Sequence, residues 1–393
     1  MKKILIISNY YPPEIGAASN RIFLMAKSLK SKKIDVEVAC PFPNYPTGKI
    51  YGNYRGFYKK EINENIVCHR LYIKPDNSNS ILKRGFSMIS FSLSLWILLF
   101  KKETKNYDKI IIQNSPLLVS FSSIILFKKI LNKKIILNVS DLWPQSAIDL
   151  GVMNEGGFIH NIFKRIEKFN YKNSNKIIGQ SHSILEHVSK YTENPTFLYR
   201  NLPYKSFNKI NSVSKSNKIS FVYAGLLGVA QGLLKLIRIL DKIDLDFEFH
   251  IYGDGKEKTE IENFLINSKK IKYLGSVPKE ELQLILLKYH YSFVPLASDI
   301  KGAFPSKIYE LIVNNIPVIY IGKGDAKKFI DKNILGYTVS PENIEDIPVL
   351  IKNILNGNLI DYELLTKNCN LISESILSFK KQKVELIKFV TNN

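Results

Sequence analysis

Residues 302–321, GAFPSKIYELIVNNIPVIYI, place the strongest constraint on the fold. The continuous apolar run IPVIYI is typical of a strand covered on both faces, as in a parallel sheet between helical layers. Upstream, Ile308, Leu311 and Ile312 recur at helical spacing and predict a short helix with one buried stripe. Pro305 suits the first helical position, because its nitrogen carries no hydrogen that would need a partner there. The stretch therefore predicts a loop, a helix and a buried strand of an α/β domain.

Lys307 lies in the first turn of that predicted helix, where its charge opposes the helix dipole at a cost of roughly 0.3–1 kcal/mol. An anion bound by the free N–H groups of the turn would reverse the sign of this effect. Two interpretations remain open from these residues alone: an anion site, or a solvent-exposed lysine in a chain of net charge +21.

The positive charge is carried mainly by lysine. One explanation is compositional bias, because Lys, Asn and Ile are all abundant; the other is attraction to phosphate groups. Lysine without clustered arginine fits a lipid head-group surface better than the reading of nucleic-acid bases, so we expect no nucleic-acid partner. The cysteines Cys40, Cys68 and Cys369 are scattered, which argues against a disulfide framework and favours a reducing cytoplasm.

Apolar runs alternate with amphipathic segments in both halves of the chain, the pattern of repeated βαβ units. Residues 3–8, KILIIS, predict the first strand, and a loop containing Gly16 follows it. Ser19 is the predicted cap of a helix over 20–30. Open α/β sheets bind ligands at the carboxyl ends of their strands, where this loop would lie.

The second half restarts the pattern at residue 218, after a stretch without apolar periodicity. We predict a Rossmann-like domain over 1–203, a linker over 204–217 and a second Rossmann-like domain over 218–370. A final helix within 371–393 is expected to return to the first domain. Two such domains suggest a ligand cleft between them.

Residues 80–100, SILKRGFSMISFSLSLWILLF, are unusually apolar, and the segment 117–134 repeats this character. The apolar core 86–100 is shorter than the roughly 20 residues that span a bilayer. It predicts either a buried core helix or a helix seated in the head-group region of a membrane. The basic residues that flank it are Lys83, Arg84, Lys101 and Lys102.

Loops after strand ends supply the candidate ligand site. They contain Gly16, residues 225–232 and residues 303–310, and glycine lets backbone N–H groups approach phosphate oxygens closely. Asp141 ends another strand beside Trp143; it is either a carboxylate that orients or deprotonates a hydroxyl, or the cap of a turn.

Several other patterns are not met. The chain has neither a P-loop nor a GxSxG elbow, and its histidines lack the zinc spacing. Asp244 and Asp246 mimic a metal-binding pair but have no third ligand nearby in sequence, so we interpret them as a solvated turn. We expect no metal cofactor.

Seven segments, in order along both domains, match a known pattern: SNYYPPEIGAASNR (8–21), PFPNYPTGKIYGNYRG (41–56), VSDLWPQSAIDLG (139–151), YAGLLGVAQGL (223–233), YGDG (252–255), YLGSVPKEEL (273–282) and PSKIYELIVNNIPVI (305–319). In these segments the chain resembles the family 4 retaining glycosyltransferases, which have the GT-B fold of two Rossmann-like domains facing each other across a cleft. Within that family it resembles the bacterial L-N-acetylfucosaminyltransferases of O-antigen and capsule synthesis.

The resemblance implies a site for a nucleotide-sugar donor. Gly16 would approach the donor diphosphate from the first domain, and Gly225 and Gly228 would place backbone beside the phosphates in the second. Lys307 would neutralise the diphosphate, which would explain a lysine at the start of a helix.

The remaining implied contacts concern the base, the ribose and the transferred sugar. Ser276 and Val277 would lie beside the nucleotide base. Glu310 matches the second carboxylate of the family's E-x7-E motif and would hold ribose hydroxyls. Asp141 aligns with the polar residue that contacts the reacting sugar, so Asp141, Lys307 and Glu310 are the predicted catalytic residues.

The chain departs from the family pattern at three positions. Gly302 replaces the first carboxylate of E-x7-E, and Leu226 and Gln231 stand where many members have the Arg and Lys that bind phosphate. Lys307 is therefore the main candidate cation.

The function that the resemblance implies is transfer of a sugar, such as an N-acetylated amino sugar, from a UDP-sugar to a saccharide on a polyprenyl diphosphate. The expected place is the cytoplasmic face of the bacterial membrane, with the enzyme bound peripherally to an anionic lipid surface. A UDP-sugar 2-epimerase shares this architecture and is the alternative enzyme; a basic nucleic-acid-binding protein is the remote non-enzymatic one.

Overall fold

The computed structural model describes residues 2–76, 81–204, 215, 218–297 and 300–392. The chain divides into two compact units, one formed by Met1–Asn201 with Lys380–Asn393 and the other by Leu202–Phe379. Most of the predicted linker, 204–217, lies outside the described residues.

Short strands form the centre of each unit. They are β1 Lys2–Ile7, β2 Ile34–Pro41, β3 Tyr58–Asn63, β4 Ile66–Leu71, β5 Lys109–Gln113, β6 Lys134–Val139, β7 Lys176–Gly179, β8 Thr196–Leu198, β9 Ser220–Leu226, β10 Glu248–Asp254, β11 Ile271–Tyr273, β12 Tyr291–Pro295, β13 Val318–Ile321 and β14 Gly336–Val339.

Helices alternate with these strands. They are α1 Ala17–Leu29, α2 Ile81–Ser94, α3 Leu117–Ile124, α4 Gln145–Asp149, α5 Phe158–Lys172, α6 His182–Ser189, α7 Leu233–Asp241, α8 Lys258–Leu265, α9 Lys279–Leu286, α10 Ser306–Val313, α11 Gly324–Asn333, α12 Ile347–Leu355, α13 Tyr362–Ser375 and α14 Phe379–Thr391. Short 3-10 segments cover Leu95–Phe100, Lys102–Asn106, Val229–Gln231 and Pro341–Asp346, and a π-helical turn covers Ile125–Ile130.

The predicted fold class is confirmed in both units. The first sheet has the order β3-β4-β2-β1-β5-β6-β7-β8 and is parallel except for β3, which pairs antiparallel with β4. The second has the order β11-β10-β9-β12-β13-β14 and is parallel throughout. Apolar clusters cover both faces of each sheet, as the uninterrupted apolar strands require.

Two helix starts differ from the sequence prediction. Helix α1 begins at Ala17, with Gly16 as its N-cap, so Ser19 is a buried residue inside the helix and not its cap. Pro305 is the N-cap of α10 and keeps an extended backbone, so the helix begins one residue later at Ser306. In both cases backbone conformation at the preceding Gly or Pro sets the boundary, and no side-chain cap is formed.

The carboxyl end of α14 is held against the first sheet by lysines from the amino ends of its strands. Lys2 donates to the carbonyl of Thr391, and Lys109 donates to the carbonyls of Val390 and Asn392, at 2.7–2.8 Å. These cations satisfy the carbonyl groups that a helix end leaves without partners. The predicted C-terminal helix thus packs within the first unit.

A buried ionic network joins the neighbouring strands β3, β4, β2 and β1 of the first sheet. The Glu37 carboxylate accepts from His69 Nε2 at 2.7 Å and from the Tyr107 hydroxyl at 2.5 Å, and it lies 2.8 Å from the Lys3 ammonium. Tyr58 donates to the other ring nitrogen of His69 at 2.8 Å. Burial alone would raise the pKa of Glu37, but these partners lower it to about 2.

We expect Glu37→Gln to destabilise the protein by about 3 kcal/mol, because it leaves buried cationic and polar partners without their counter-charge. The carboxyl pKa is lower in the folded than in the unfolded chain, so its stabilisation is present above the ordinary value of 4.5 and is lost as pH falls towards 2. Urea unfolding at several pH values measures both effects. Glu64→Gln, which removes an exposed ion pair with Lys27, is the matched control and should change stability by less than about 1 kcal/mol. Equal effects of the two substitutions would contradict the assignment.

Candidate functional site

The carboxyl ends of β9, β10 and β11 form an edge of bare backbone. Gly253 is in register with Gly225, and its N–H donates to the carbonyl of Gly275 at 2.9 Å. A Cβ on Gly253 would lie 1.7 Å from the carbonyl oxygen of Gly225, so no side chain fits between these strands. We call Gly225, Gly253 and Gly275 the glycine edge. Such an edge lets a ligand approach backbone amides closely.

The Lys307 side chain lies directly over Gly225 of the glycine edge. A Cβ on Gly225 would be 1.5 Å from the Lys307 ammonium nitrogen, which also lies 4.9 Å from the centre of the Tyr223 ring. The Tyr223 hydroxyl donates to the carbonyl of Leu226 at 2.6 Å, which fixes the ring under the lysine. Burial lowers the pKa of Lys307 to about 8, although Glu310 acts in the opposite direction. Lys307 is half-buried at the strand ends, so the interpretation as an ordinary exposed lysine is wrong.

Helix α10 positions Lys307 through its buried face. Ile308, Leu311 and Ile312 are buried as predicted, and the ring of Phe304 stacks on that of Tyr309 with centroids 4.3 Å apart. Glu310 is one helical turn after Lys307 and half-buried, and its carboxylate lies 3.5 Å from the Lys279 ammonium. The helix thereby presents a cation and a carboxylate from one turn.

The other residues predicted for the donor site in this unit also lie in loops that follow strands. Gly228 is the N-cap of the 3-10 segment after β9, with an ordinary φ of −140°. Ser276 is exposed and Val277 half-buried in the loop between β11 and α9. Gly302, at the position of the missing carboxylate, has φ 82°, in the region that favours glycine.

Two acceptor atoms near the glycine edge were missed by sequence reasoning. Gln231 Oε1 and Glu257 Oε2 are buried and have no hydrogen-bond partner among the described residues. Burial raises the pKa of Glu257, and the charge of Glu260 raises it further. The pKa of Tyr223 is raised mainly by burial and additionally by the charge of Glu257. From sequence, Gln231 is only the residue that stands in place of a phosphate-binding cation, and no pattern singles out Glu257.

In the first unit, Asp141 follows β6. Its carboxylate makes no hydrogen bond to any of the residues described in the structure, so neither an Asx-turn nor a helix cap accounts for it. Burial raises its pKa to about 6. A half-buried carboxyl with this pKa can accept or donate a proton near neutral pH.

A buried polar chain, also missed from sequence, supports the turn before Asp141. Arg21 is 2% exposed and donates to Asn138 at 2.9 Å and to the carbonyl of Tyr199 at 2.6 Å. Asn138 donates to Gln113, which donates to the Ser140 hydroxyl, each at 2.5 Å. The sequence signal that could have revealed this polar chain is the polar residue at or near the end of each otherwise apolar strand.

Gly16 also belongs to the first unit, where it is exposed at the start of α1. The basic residues predicted at the membrane surface divide into two kinds. Lys83, Arg84 and Lys102 are exposed, whereas Lys101 is half-buried and its ammonium lies 3.9 Å from the centre of the Tyr58 ring. Among the described residues, no group of three His, Cys, Asp or Glu side chains is arranged to hold a metal ion.

The fold class is given by comparison with solved structures. The whole chain superposes on solved GT-B glycosyltransferase structures, among them Anabaena Alr3699/HepE in complex with UDP, with a TM-score of 0.70, 12% identity and full coverage of both chains. The two α/β units thus have the GT-B fold.

Sequence comparison finds a family match in the second half of the chain. Residues 205–370 match the family model "Glycosyl transferases group 1". The chain is 20% identical to the probable glycosyltransferase WbjE of Pseudomonas aeruginosa, over 72% of this chain and 74% of that one. It is 24% identical to the "Putative colanic acid biosynthesis glycosyl transferase WcaI" of Escherichia coli K12, over 66% of this chain and 68% of that one. The protein is a glycosyltransferase with a group 1 domain.

Proposed function

We propose that the protein transfers a sugar, with retention of its anomeric configuration, from a UDP-sugar to a saccharide carried on a polyprenyl diphosphate. An N-acetylated amino sugar such as N-acetyl-L-fucosamine is the proposed donor sugar, and an O-antigen or capsule is the proposed product. The Lys307 ammonium over Gly225 carries the proposal, because a half-buried cation against bare backbone amides suits a diphosphate. The UDP bound to HepE supports UDP as the nucleotide of the donor. The name of WcaI, which refers to colanic acid biosynthesis, supports a polysaccharide as the product.

Charge that develops on the departing diphosphate is stabilised in this proposal by Lys307, by the N–H groups at the start of α10 and by the glycine edge. Gly16 and Gly228 offer further backbone to the phosphates. Glu310 holds the ribose hydroxyls, and Ser276 and Val277 lie beside the base.

The acceptor hydroxyl attacks on the face that the diphosphate leaves, so no protein nucleophile is needed. Asp141 orients that hydroxyl or takes up its proton, for which its raised pKa is suited. No metal takes part in the proposed reaction.

A thermal-shift panel of nucleotide sugars tests the donor class, because a ligand that binds only the folded protein raises its melting temperature. We expect UDP and UDP-sugars to raise it in buffer containing EDTA, and GDP-sugars to have little effect. Incubation with UDP-N-acetylglucosamine alone then separates transfer from epimerisation. Release of an epimerised nucleotide sugar, or no shift with any UDP compound, would reject the proposal.

The membrane part of the proposal rests on exposed apolar side chains beside basic ones. On α2, Phe86 and Leu93 are 62% and 66% exposed, and they lie on the helix face opposite the buried Phe91. Helix α3 packs between α2 and α5, and α5 begins with Phe158, which is 80% exposed. The second predicted segment contributes little, because the side chains of Leu117–Phe127 are mostly buried in the core.

The helical stretch Lys83–Phe100 has mean hydropathy 1.2 over 18 residues, so by length and composition alone it could cross a bilayer, contrary to the sequence estimate. A third of it is buried in the unit, however, including Leu95 and Leu98. We therefore propose a helix that lies in the head-group region at the cytoplasmic face, with its basic residues against anionic lipid.

Flotation with vesicles of phosphatidylglycerol and phosphatidylethanolamine tests this surface. Replacing Lys83, Arg84 and Lys102 by alanine should weaken binding about 100-fold, at about 1 kcal/mol for each lost charge. The matched control replaces three exposed lysines of α14, Lys380, Lys381 and Lys388. Equal flotation of the two triple variants would reject the membrane surface.

A further inference from the structure

Two tyrosines in the first unit form a partly exposed aromatic pair that the proposed reaction does not yet use. The rings of Tyr10 and Tyr45 meet edge to face, with centroids 5.3 Å apart and planes at 72°. Tyr10 is half-buried, whereas Tyr45 is 39% exposed. The edge of Tyr45 lies 3.6 Å from the position of a Cβ on Gly16. The exposed ring is thus next to the loop proposed to approach the donor diphosphate.

Glu14, which is 4% exposed, fixes the backbone of the loops that carry the pair. Its carboxylate accepts from the backbone N–H groups of Asn44 and Tyr45, both at 2.9 Å, and from that of Tyr11 at 3.3 Å. The Tyr51 hydroxyl donates to the Tyr45 carbonyl at 3.2 Å. These bonds join the loop after β1 to the loop after β2. A loop fixed in this way loses little conformational entropy when it binds a ligand.

The polar surroundings of the pair include an atom without a partner. Asn9 Oδ1 is buried and has no hydrogen-bond partner among the described residues. A buried acceptor of this kind is costly unless a ligand or water donates to it. Burial raises the pKa of the Tyr10 hydroxyl, whereas a hydrogen bond with the Asn9 side chain and the charge of Arg84 lower it.

We propose that Tyr45, supported by Tyr10 and flanked by Asn9, binds the sugar ring of the acceptor saccharide. The inference rests on the proposed function and names the acceptor contact within it. A pyranose has an apolar C–H face and a rim of hydroxyl groups. The Tyr45 ring offers a flat apolar surface for the face, and Asn9 Oδ1 accepts from a hydroxyl on the rim. Arg84, at the start of α2, stands on the side where the proposed membrane surface begins, which suits an acceptor carried on a lipid.

Saturation-transfer NMR with the methyl glycosides of glucose, galactose, mannose, N-acetylglucosamine and fucose tests the site. We expect transfer to the ring C–H protons of at least one glycoside in the wild-type protein. Tyr45→Ala should reduce that signal about fivefold, because an aromatic contact is worth roughly 1 kcal/mol. Tyr45→Phe keeps the ring and should keep the signal.

Phe57→Ala is the matched control. Phe57 is 67% exposed, and its ring meets that of Tyr72 edge to face with centroids 5.4 Å apart. The two rings form a comparable pair at another place on the same unit. The Phe57→Ala substitution should leave the glycoside signal unchanged. Equal signals in wild type and Tyr45→Ala, or no transfer to any glycoside, would overturn the inference. The thermal shift with UDP is measured on the wild type and on every variant. The absence of a shift in the wild-type protein would reject the donor proposal instead.

Discussion

Lys307→Ala should lower the turnover number at least ~100-fold, comparable to the loss of one preorganised donor that stabilises transition-state charge. The ammonium lies over Gly225, and Leu226 and Gln231, which the family resemblance places at phosphate-binding positions, are uncharged. No neighbouring cation in that loop can therefore take over. Steady-state kinetics with the UDP-sugar found in the panel measures the effect.

The pH dependence of turnover gives a second readout for the same residue. Lys307 is protonated below its pKa of about 8, so turnover should fall as pH rises through that value. Lys307→Arg keeps the charge and should move this limb to higher pH. Lys328→Ala removes an exposed lysine of α11 and serves as the control, with turnover unchanged. Wild-type kinetics in a folded Lys307→Ala protein would show that another group holds the diphosphate.

Gly225→Ala should reduce turnover to a similar extent while the protein stays folded. The added Cβ would lie 1.5 Å from the Lys307 ammonium and 2.5 Å from its Cε, so the lysine must leave its place. Because the end of a lysine side chain is flexible, the backbone need not rebuild. The φ of 155° adds strain of order 1 kcal/mol. Turnover and the melting temperature of the same preparation are measured together.

Gly357→Ala separates strain from displacement. Gly357 has φ 68° and no atom within 4 Å of the added Cβ, so it imposes an unfavourable backbone without a collision. It should cost stability and leave turnover intact. The double variant Gly225→Ala/Lys307→Ala should be no slower than either single variant, because both remove the same interaction. Additive losses would mean that Gly225 acts independently of the lysine.

Much of the strand order along the chain was predictable, because buried parallel strands are uninterrupted apolar runs with a recognisable length. The edge strand β3 was missed: YKKEIN is polar and alternates exposed with half-buried residues, as an edge strand next to water does. Strand β14, GYTV, is likewise only half-buried. Local pattern carries little information where neither face of a strand is fully buried.

Among the functional and buried polar residues, too, some could be predicted from the sequence and others could not. Lys307 could be singled out from sequence because its charge is at odds with a helix start. Arg21 and Glu37 could not, because their roles depend on partners far along the chain, such as Asn138 and His69. The orphaned acceptor of Asn9 is also a property of packing, which only the folded chain reveals.

A crystal structure of the protein with UDP tests the central claim most directly. We expect a diphosphate oxygen within hydrogen-bond distance of the Lys307 ammonium and the backbone of the glycine edge against the phosphates. A diphosphate bound elsewhere, with Lys307 still lying over Gly225 and touching no phosphate, would contradict it.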